Sequence, residues 1–298
     1  MLATICVDSR CTLGEGILWS SRRQALLWTD IQGRSLWQHV PGASRTSRWI
    51  LPDRLGAFAE CESGRVLLGF AKSLCVAHLE EADDGPALVF TELVPVEDSV
   101  PSTRVNDGRT DRSGNFVFGT LNEAEDKQPV GSFYQFSAKR GLRRLALPSV
   151  AIPNSICFSP DGRTMYFCDS LDRIIHQCDY DPEQALAENV RPFVKLGPMQ
   201  GLPDGSTVDS NGCVWNAEWG TGTVRQYTPS GRLATTIEVP AKNPTCSVFG
   251  GVRLDELYIT SSRQEMSSED LELVPHAGGV YRASPGVSGI PDQPFRGL

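Results

Sequence analysis

The sequence predicts an all-β fold, a six-bladed β-propeller with four-stranded antiparallel blades around a central channel. The first observation behind this prediction is the stretch Ile152–Ser170, in which an apolar run ends at Phe158, a turn follows at Ser159–Gly162, and a β-branched and aromatic run occupies Thr164–Cys168. Such a pattern is typical of a β-hairpin. The second observation is that the hairpin recurs, with turns near residues 22, 64, 114, 162, 212 and 254. Steps of about 40 to 50 residues are typical of propeller blades.

Each element follows from this repeat in chain order. The chain opens with a short strand, Ala3–Val7, which we expect to complete the last blade, because a circular propeller has to join its ends. The first hairpin follows, and the outer strands of its blade are predicted at Ser35–His39 and Ser47–Ile50. The second copy continues to an acidic stretch, Glu80–Gly85, that predicts a solvated turn.

The later copies contain a loop that bears on function. A polar loop, Asn122–Pro129, follows the second strand of copy three, where it either contributes to a binding site or is an ordinary surface loop. Further strands of copies three to six are predicted at 131–136, 173–180, 223–227 and 279–282. Helix signals are weak, and the tail from Ser284, rich in proline and glycine, is predicted to be irregular.

Length and composition limit the possible partners. Six repeats of this period use all 298 residues, so a single propeller domain over residues 1–298 is expected. The net charge of −8 argues against nucleic acid and anionic membranes as partners, because both require basic patches. The start of the chain lacks a basic and apolar signal segment, and no apolar run reaches the roughly 18 residues of a membrane helix. We therefore expect a cytoplasmic protein whose nine cysteines are reduced.

Four polar residues occupy corresponding places in the innermost strands. Asn106, Asn154 and Asp204 each lie eight residues before a turn glycine, and Glu15 takes the same place in the first copy. Innermost strands line the channel, so these side chains are expected to meet at one of its mouths. Two carboxylates and two amides without a lysine are costly to bury unless a cation compensates them. Oxygen donors suit Ca²⁺, Mg²⁺ or Mn²⁺, with Zn²⁺ possible, whereas the alternative is that each residue caps its own strand.

The motifs around these residues resemble those of a known family. They are LGEG with WTDI, RVNDGRTDRSGNFVFGT, PNSICFSPDGRTMYFCDS, LPDGSTVDSNGCVWNAEWG and CSVFGG. The set is similar to the SMP-30/gluconolactonase/luciferin-regenerating-enzyme family of six-bladed propellers, which includes regucalcin and bacterial sugar lactonases. The bacterial aldonolactonase branch is the more similar, partly through WNAEWG.

The resemblance implies a set of site residues. It implies one divalent metal ion held by Glu15, Asn154 and Asp204, with Asn106 beside metal and substrate and Arg104 on substrate oxygens. The chain departs from the regucalcin-like pattern at Leu121-Asn122-Glu123-Ala124, so we expect Asn122 or Glu123 to replace the acidic substrate contact of some relatives. This departure leaves the identity of the sugar open.

The implied reaction is metal-dependent hydrolysis of a sugar 1,4- or 1,5-lactone to the aldonic acid, as in carbohydrate catabolism. A divalent ion would polarise the carbonyl, activate water, or do both. Asp204 is the expected general base, because Gly205 beside it leaves room for water and the family gives its equivalent that role. Arg104 and Asn106 would donate hydrogen bonds to hydroxyls or to the oxyanion. Trp219 would either form a pocket wall or pack in the core.

Two other functions compete with this reading. A non-catalytic interaction scaffold would use the metal structurally, but it has no need of Arg104 beside an oxygen cluster. A metal-dependent phosphotriesterase would use a similar site, but such enzymes add ligands that include histidine, and none of the four histidines falls in a matching motif. The expected partner is a small sugar lactone, and the expected assembly is a monomer or weak dimer.

Overall fold

Six four-stranded antiparallel sheets form the blades of a propeller, as predicted. The computed structural model describes residues 1–43, 46–82 and 85–298. Two residues of the predicted turn at Glu80–Gly85, 83 and 84, lie outside the described residues.

The strands follow one another from the channel outwards in each of the first five blades. Strand β1 (Thr4–Val7) precedes them and belongs to the last blade. Blade one contains β2 (Gly14–Ser20), β3 (Ala25–Asp30), β4 (Ser35–His39) and β5 (Thr46–Ile50). Blade two contains β6 (Leu55–Glu60), β7 (Val66–Phe70), β8 (Ser73–Ala82) and β9 (Gly85–Pro95). Blade three contains β10 (Thr103–Thr110), β11 (Phe116–Asn122), β12 (Phe133–Ser137) and β13 (Gly141–Arg144). Blade four contains β14 (Pro153–Phe158), β15 (Thr164–Asp169), β16 (Ile174–Asp181) and β17 (Leu186–Lys195).

The last two blades complete the ring. Blade five contains β18 (Leu202–Val208), β19 (Val214–Trp219), β20 (Thr223–Tyr227) and β21 (Leu233–Glu238). Blade six contains β22 (Asn243–Gly250), β23 (Glu256–Ser262) and β24 (Val280–Ala283), and β1 is its outer strand. Ile5 pairs with Tyr281 across this last ladder, so the predicted closure by the N-terminal strand is confirmed.

The core lies between neighbouring blades. Aromatic side chains from adjacent sheets meet there, as in the edge-to-face contacts of Phe133 with Phe167 (5.1 Å between ring centroids) and Trp215 with Phe249 (5.9 Å). Neighbouring blades cover the faces of the innermost strands, and β14 and β22 are buried over their whole length. Truncating one such aromatic residue to alanine typically costs about 3 to 5 kcal/mol.

A β-bulge interrupts the innermost strand at the level of the predicted site. The pairing of β2 with β3 breaks after Glu15, and that of β14 with β15 breaks after Asn154. In β10 and β18 the break follows Val105 and Pro203, so Asn106 and Asp204 lie inside the bulge. A bulge bends its strand and interrupts the alternation of side chains between the two faces. The four predicted residues therefore differ in ladder register, yet all of them line one cavity.

The innermost strands of blades two and three lie close together at Gly56. A Cβ atom added there would lie 2.1 Å from the carbonyl oxygen of Val105, so only glycine fits. This contact explains why blade two contributes no polar side chain at the position that corresponds to Asn106.

The tail from Ser284 is irregular, as predicted, but it is closely packed. It runs along the end of the channel that carries the hairpin turns, where Gly289 bridges to Asp209 of blade five and Phe295 stacks on Phe136 of blade three. Between them Asp292 forms an ion pair with Arg109 (3.0 Å). The tail thereby covers the end of the channel opposite the predicted site.

A short α-helix in blade six departs from the β pattern. Helix α1 (Ser268–Leu273) follows the second strand of blade six, and Ser267 and Asp270 form a reciprocal capping box at its start. The S-x-x-D pattern that indicates such a cap is visible in the sequence. Within the part of the chain that the structure describes, no helix has the length and apolar character needed to cross a bilayer.

Candidate active site

A cavity of about 500 Å³ opens at the channel mouth away from the C-terminal tail. The predicted residues that line it are Glu15, Arg104, Asn106, Glu123, Asn154 and Asp204. They come from the innermost strands of blades one, three, four and five and from the loop after β11. The structure thus brings together residues that are up to 189 positions apart, from Glu15 to Asp204.

Asn154 is oriented by its neighbours. Its amide Nδ2 donates to Oγ of Ser170 (2.9 Å), and that hydroxyl donates to the carbonyl oxygen of Pro203 (2.7 Å). Its Oδ1 accepts a hydrogen bond from Nδ2 of Asn106 (3.2 Å). Because Oδ1 accepts one hydrogen bond from the described residues, its second lone pair is available to a ligand.

The carboxylates of Glu15 and Asp204 form no ion pair with the described residues, and the charge of Arg104 only partly offsets the raised pKa of Glu15. Desolvation raises the pKa of both carboxyl groups. Repulsion from Asp107 raises the pKa of Glu15 further, and repulsion from Glu15 and Asp107 raises that of Asp204 further. Among the described residues, no side chain donates a hydrogen bond to either carboxylate, and Glu15 accepts one from the backbone N–H of Gly16 (3.1 Å). Both groups therefore favour a nearby positive charge.

This donor set fits a divalent cation. No three His, Cys, Asp or Glu side chains cluster as ligands anywhere in the described ranges, so an ion here would require the amide oxygen of Asn154 beside Glu15 and Asp204. Three protein oxygens leave further coordination positions for water or substrate. The raised pKa values of the two carboxyls indicate the electrostatic cost that a cation would relieve.

Sequence reasoning missed Asp107, which follows Asn106 in the same bulge. Its Oδ2 accepts a hydrogen bond from the backbone N–H of Ile156 in the next blade (3.0 Å), and burial raises its pKa. Asn106 lines the cavity at the open mouth, whereas Asp107 lines a second cavity of about 220 Å³ nearer the tail. In a regular strand adjacent side chains point to opposite faces, and only the bulge brings both to the channel.

Arg104 is buried, and part of its guanidinium lacks a partner. Its Nη1 donates to the carbonyl oxygen of Val105 (2.9 Å) and to Oδ1 of Asn106 (3.0 Å). Its Nε lies 3.4 Å from Oε1 of Glu123, but the geometry is not that of a hydrogen bond, and Nε is buried without an acceptor. Burial lowers the pKa of Arg104 to about 10, so the group stays charged at neutral pH.

Glu123 and Asn122, the two candidates for the acidic contact, have different surroundings. Glu123 lines the cavity and is held by both terminal nitrogens of Arg54, from the segment before blade two. Asn122 is absent from the cavity lining, because its Nδ2 donates to the carbonyl of Gln128 (2.9 Å) and its Oδ1 accepts from the N–H of Ala124 (3.0 Å). Asn122 therefore holds the loop that presents Glu123.

The expected role of Gly205 needs correction. A Cβ atom at this position would lie 2.7 Å from Sγ of Cys246 in blade six, so the glycine allows two blades to pack and does not open a path for water. Glu15 is likewise followed by a glycine, Gly16, so this feature does not distinguish Asp204 from Glu15.

The rim of the cavity is formed where the second strand of a blade ends. We call this set the rim residues: Gln32, Glu123, Leu171, Trp219 and Gln264. Trp219 is therefore a wall of the cavity, the first of its two expected roles. Apart from Glu123 and Trp219, the rim was missed by sequence reasoning, although each member lies within two residues of the end of its strand.

Comparisons with known proteins agree with this fold. The family described as the SMP-30/Gluconolactonase/LRE-like region matches residues 13–263. An L-arabinolactonase of Azospirillum brasilense is 46% identical over 297 residues, covering 99% of this chain and 96% of its own. A 6-deoxy-6-sulfogluconolactonase of Pseudomonas putida is 31% identical, covering 96% of this chain and 95% of its own. The crystal structure of a calcium-binding regucalcin from Agrobacterium tumefaciens superposes with a TM-score of 0.90 at 29% identity, covering 99% of this chain and 97% of that one. The chain belongs to the SMP-30/gluconolactonase/LRE-like family.

Proposed function

We propose that this chain is a sugar lactonase that hydrolyses an aldonolactone to its aldonic acid with the help of one divalent cation. The observation that carries the proposal is the meeting of Glu15, Asn154 and Asp204 with Arg104 and Asn106 in one cavity. Two lactonases are similar to the chain over nearly its whole length, which supports the same reaction class.

Glu15, Asn154 and Asp204 would hold the cation. Their oxygen atoms suit Ca²⁺, Mg²⁺ or Mn²⁺ first, with Zn²⁺ possible where carboxylates dominate. A bound divalent cation supplies Lewis acidity, which polarises a lactone carbonyl and makes water a stronger acid.

Asp204 would act as the general base. Its carboxylate lies in the cavity and accepts no side-chain hydrogen bond from the described residues, so it is free to take a proton from an attacking water. The water oxygen adds to the lactone carbonyl carbon as Asp204 takes its proton, the ring C–O bond breaks, and the ring oxygen leaves as a hydroxyl after receiving that proton from Asp204. Proton transfer by a positioned carboxylate typically contributes about 10² to 10⁴ in rate.

Arg104 would stabilise the charge that develops on the substrate oxygen. Its guanidinium is buried, charged and fixed by Val105 and Asn106, so it needs little reorganisation during the reaction. Its Nε makes no hydrogen bond to the described residues, although it lies 3.4 Å from Oε1 of Glu123, so this N–H could donate to a substrate oxygen. The same group would also bind the carboxylate of the product.

The substrate is proposed to be a neutral aldonolactone, and L-arabinonolactone is the first to test because of the 46% identical L-arabinolactonase. The carboxylate of Glu123 on the rim can accept hydrogen bonds from hydroxyl groups of such a lactone. A cavity of about 500 Å³ also accommodates a hexonolactone, so ring size and chain length are left to experiment.

The test is proton release, followed with a pH indicator, on a panel of aldono-1,4- and 1,5-lactones. The protein is stripped with chelator and then resupplied with Ca²⁺, Mg²⁺, Mn²⁺ or Zn²⁺, and a phosphotriester is run beside the lactones. Cation-restored hydrolysis of a lactone above the spontaneous rate supports the proposal. Preference for the phosphotriester would replace it with a phosphotriesterase, and the absence of turnover on every compound would indicate a binding scaffold.

A further inference from the structure

Two polar atoms of the cavity lining are buried without a partner among the described residues. One is the donor Nε of Arg104 in blade three, which makes no hydrogen bond although it lies 3.4 Å from Oε1 of Glu123, and the other is the acceptor Oε1 of Gln264 after the second strand of blade six. Buried polar atoms in folded proteins nearly always have a hydrogen-bond partner, because leaving one unpaired is costly. In a ring of six blades, blades three and six face each other across the channel.

Three hydrogen bonds fix the backbone of Gln264. Its N–H donates to the carbonyl oxygen of Thr12 (3.0 Å) and to Oγ of Ser262 (2.9 Å), and its carbonyl accepts from Nδ2 of Asn243 (3.1 Å). Asp30 in turn fixes the segment that carries Thr12 by accepting from its N–H (3.0 Å). The side chain of Gln264 therefore projects into the cavity from a rigid attachment.

The next residue, Glu265, has a strained backbone conformation. Glu265, which also lines the cavity, has a φ of 62°, in the left-handed region that non-glycine residues rarely adopt. Backbone strain of this kind persists where the surrounding contacts fix it, and it is frequent at ligand sites. The strain lies directly beside the unpaired amide.

We propose that Gln264 is a specificity-determining residue, whose Oε1 accepts a hydrogen bond from a hydroxyl of the lactone. The inference rests on the proposed function, since it assigns a substrate contact for that reaction. The unpaired donor of Arg104 and the unpaired acceptor of Gln264 form a complementary pair on opposite walls. A polyhydroxy lactone that spans the cavity satisfies both, whereas a lactone without the matching hydroxyl leaves the acceptor unpaired. A site built to bind a hydroxyl discriminates strongly against the analogue that lacks it.

The experiment compares the wild-type chain with Gln264→Met, which keeps the length of the side chain and removes the amide. Both proteins are assayed on the best aldonolactone, on its mono-deoxy analogues and on unsubstituted γ-butyrolactone. We expect the KM of Gln264→Met for the aldonolactone to rise about tenfold, with kcat changed less than about threefold. For one mono-deoxy lactone, and for γ-butyrolactone, the two proteins should have nearly equal kcat/KM.

Thermal unfolding without lactone supplies a second readout that separates binding from structure. Removing a buried acceptor that has no partner should leave Tm unchanged or raise it by about 2 °C, whereas loss of a structural contact would lower it. Gln184→Met, on an exposed turn of blade four, is the matched control and should behave as the wild type in both assays. Gln264→Ala serves as a second variant if the methionine substitution prevents folding.

The outcomes are distinct. Equal loss of kcat/KM on every lactone, no loss on any, or a lowered Tm would overturn the role of Gln264 while leaving the lactonase proposal in place. A wild-type chain that hydrolyses no lactone would overturn both, and this is seen before any variant is made.

Discussion

Nδ2 of Asn106 donates a hydrogen bond to Oδ1 of Asn154 across 3.2 Å, although the two residues lie in the innermost strands of different blades. Asn106 also accepts from Arg104 and donates to the carbonyl oxygen of Pro153 (2.9 Å). One amide thus connects the guanidinium on the substrate side with a proposed cation ligand. The orientation of the Asn154 oxygen depends on this connection.

Asn106→Ala should weaken cation binding, because Asn154 loses the donor that orients its Oδ1. Removal of such an outer partner typically costs about 10- to 100-fold in metal affinity. Isothermal titration of the chelator-stripped protein with Ca²⁺ or Mn²⁺ measures the change. Asn115→Ala, at a hairpin turn remote from the cavity, is the control. Unchanged affinity in Asn106→Ala would show that Asn154 is oriented by Ser170 alone.

Asp204→Asn should separate the two roles proposed for this residue. The amide keeps an oxygen atom for the cation but cannot accept the proton, so we expect kcat to fall by about 10² to 10⁴ while cation binding is largely retained. Asp204→Ala should lose both. Proton-release kinetics and cation titration are run on the same preparations. Substantial activity in Asp204→Asn would move the role of general base to Glu15 or Asp107.

Arg54→Met should alter the acid side of the stability profile through Glu123. Partial burial would raise the pKa of Glu123, but the hydrogen bonds from Arg54 and the charge of Arg104 hold it below its ordinary value. A lowered carboxyl pKa contributes stability that is present above the unfolded value, about 4.3, and lost as the pH falls through the folded value. The Tm difference between wild type and Arg54→Met should therefore be largest near pH 7 and shrink below about pH 4.

Solvent screening limits how much the ion pair of Arg54 with Glu123 stabilises the fold. The side chains of Arg54 and Glu123 are 26% and 32% exposed, so the pair should contribute no more than about 1 kcal/mol. Arg253→Met, which removes an exposed pair with Asp255, is the control. A Tm difference that does not change between pH 3 and pH 7 would contradict the assignment to Glu123.

Asp292→Asn should destabilise the chain by leaving Arg109 buried without its counter-ion. The pair is mostly shielded from solvent, with side chains 13% and 21% exposed, and Arg109 also donates to the carbonyl oxygens of Ser206 and Ser247. Breaking one half of a buried pair typically costs about 3 to 5 kcal/mol. Urea unfolding measures the loss, with Asp255→Asn as an exposed counterpart. Equal effects in the two variants would mean that the tail does not fix Arg109.

The fold and part of the cavity were predictable because they follow a repeat. Glu15, Asn154 and Asp204 could be aligned against their hairpin turns, and a propeller converts equal positions along the chain into neighbours around a channel. The closing strand was predictable from the same reasoning, since a ring of blades must join its ends. These inferences needed only periodicity and the geometry of β-sheets.

The remaining residues depend on local departures from the repeat. Asp107 faces the channel only because a bulge in β10 interrupts the alternation of its side chains between the two faces of the sheet. No sequence pattern marks that bulge. Gln264 follows the sixth and least regular hairpin, so counting from turn glycines does not reach it. We expected Gly205 to leave room for water, whereas a glycine is needed there because the thiol of Cys246 in the neighbouring blade packs against it.

The pairing of Ile5 with Tyr281 imposes an order on biosynthesis. Strand β1 precedes the other described strands along the chain, but its ladder partner, β24, is translated about 276 residues later. At roughly 5 to 20 residues per second, the N-terminal strand waits about 15 to 55 seconds as an unpaired edge. During that interval it is open to chaperones and to wrong partners, including the edge strands of other nascent chains. The ring of blades that forms the cavity can therefore close only after β24 has been synthesised.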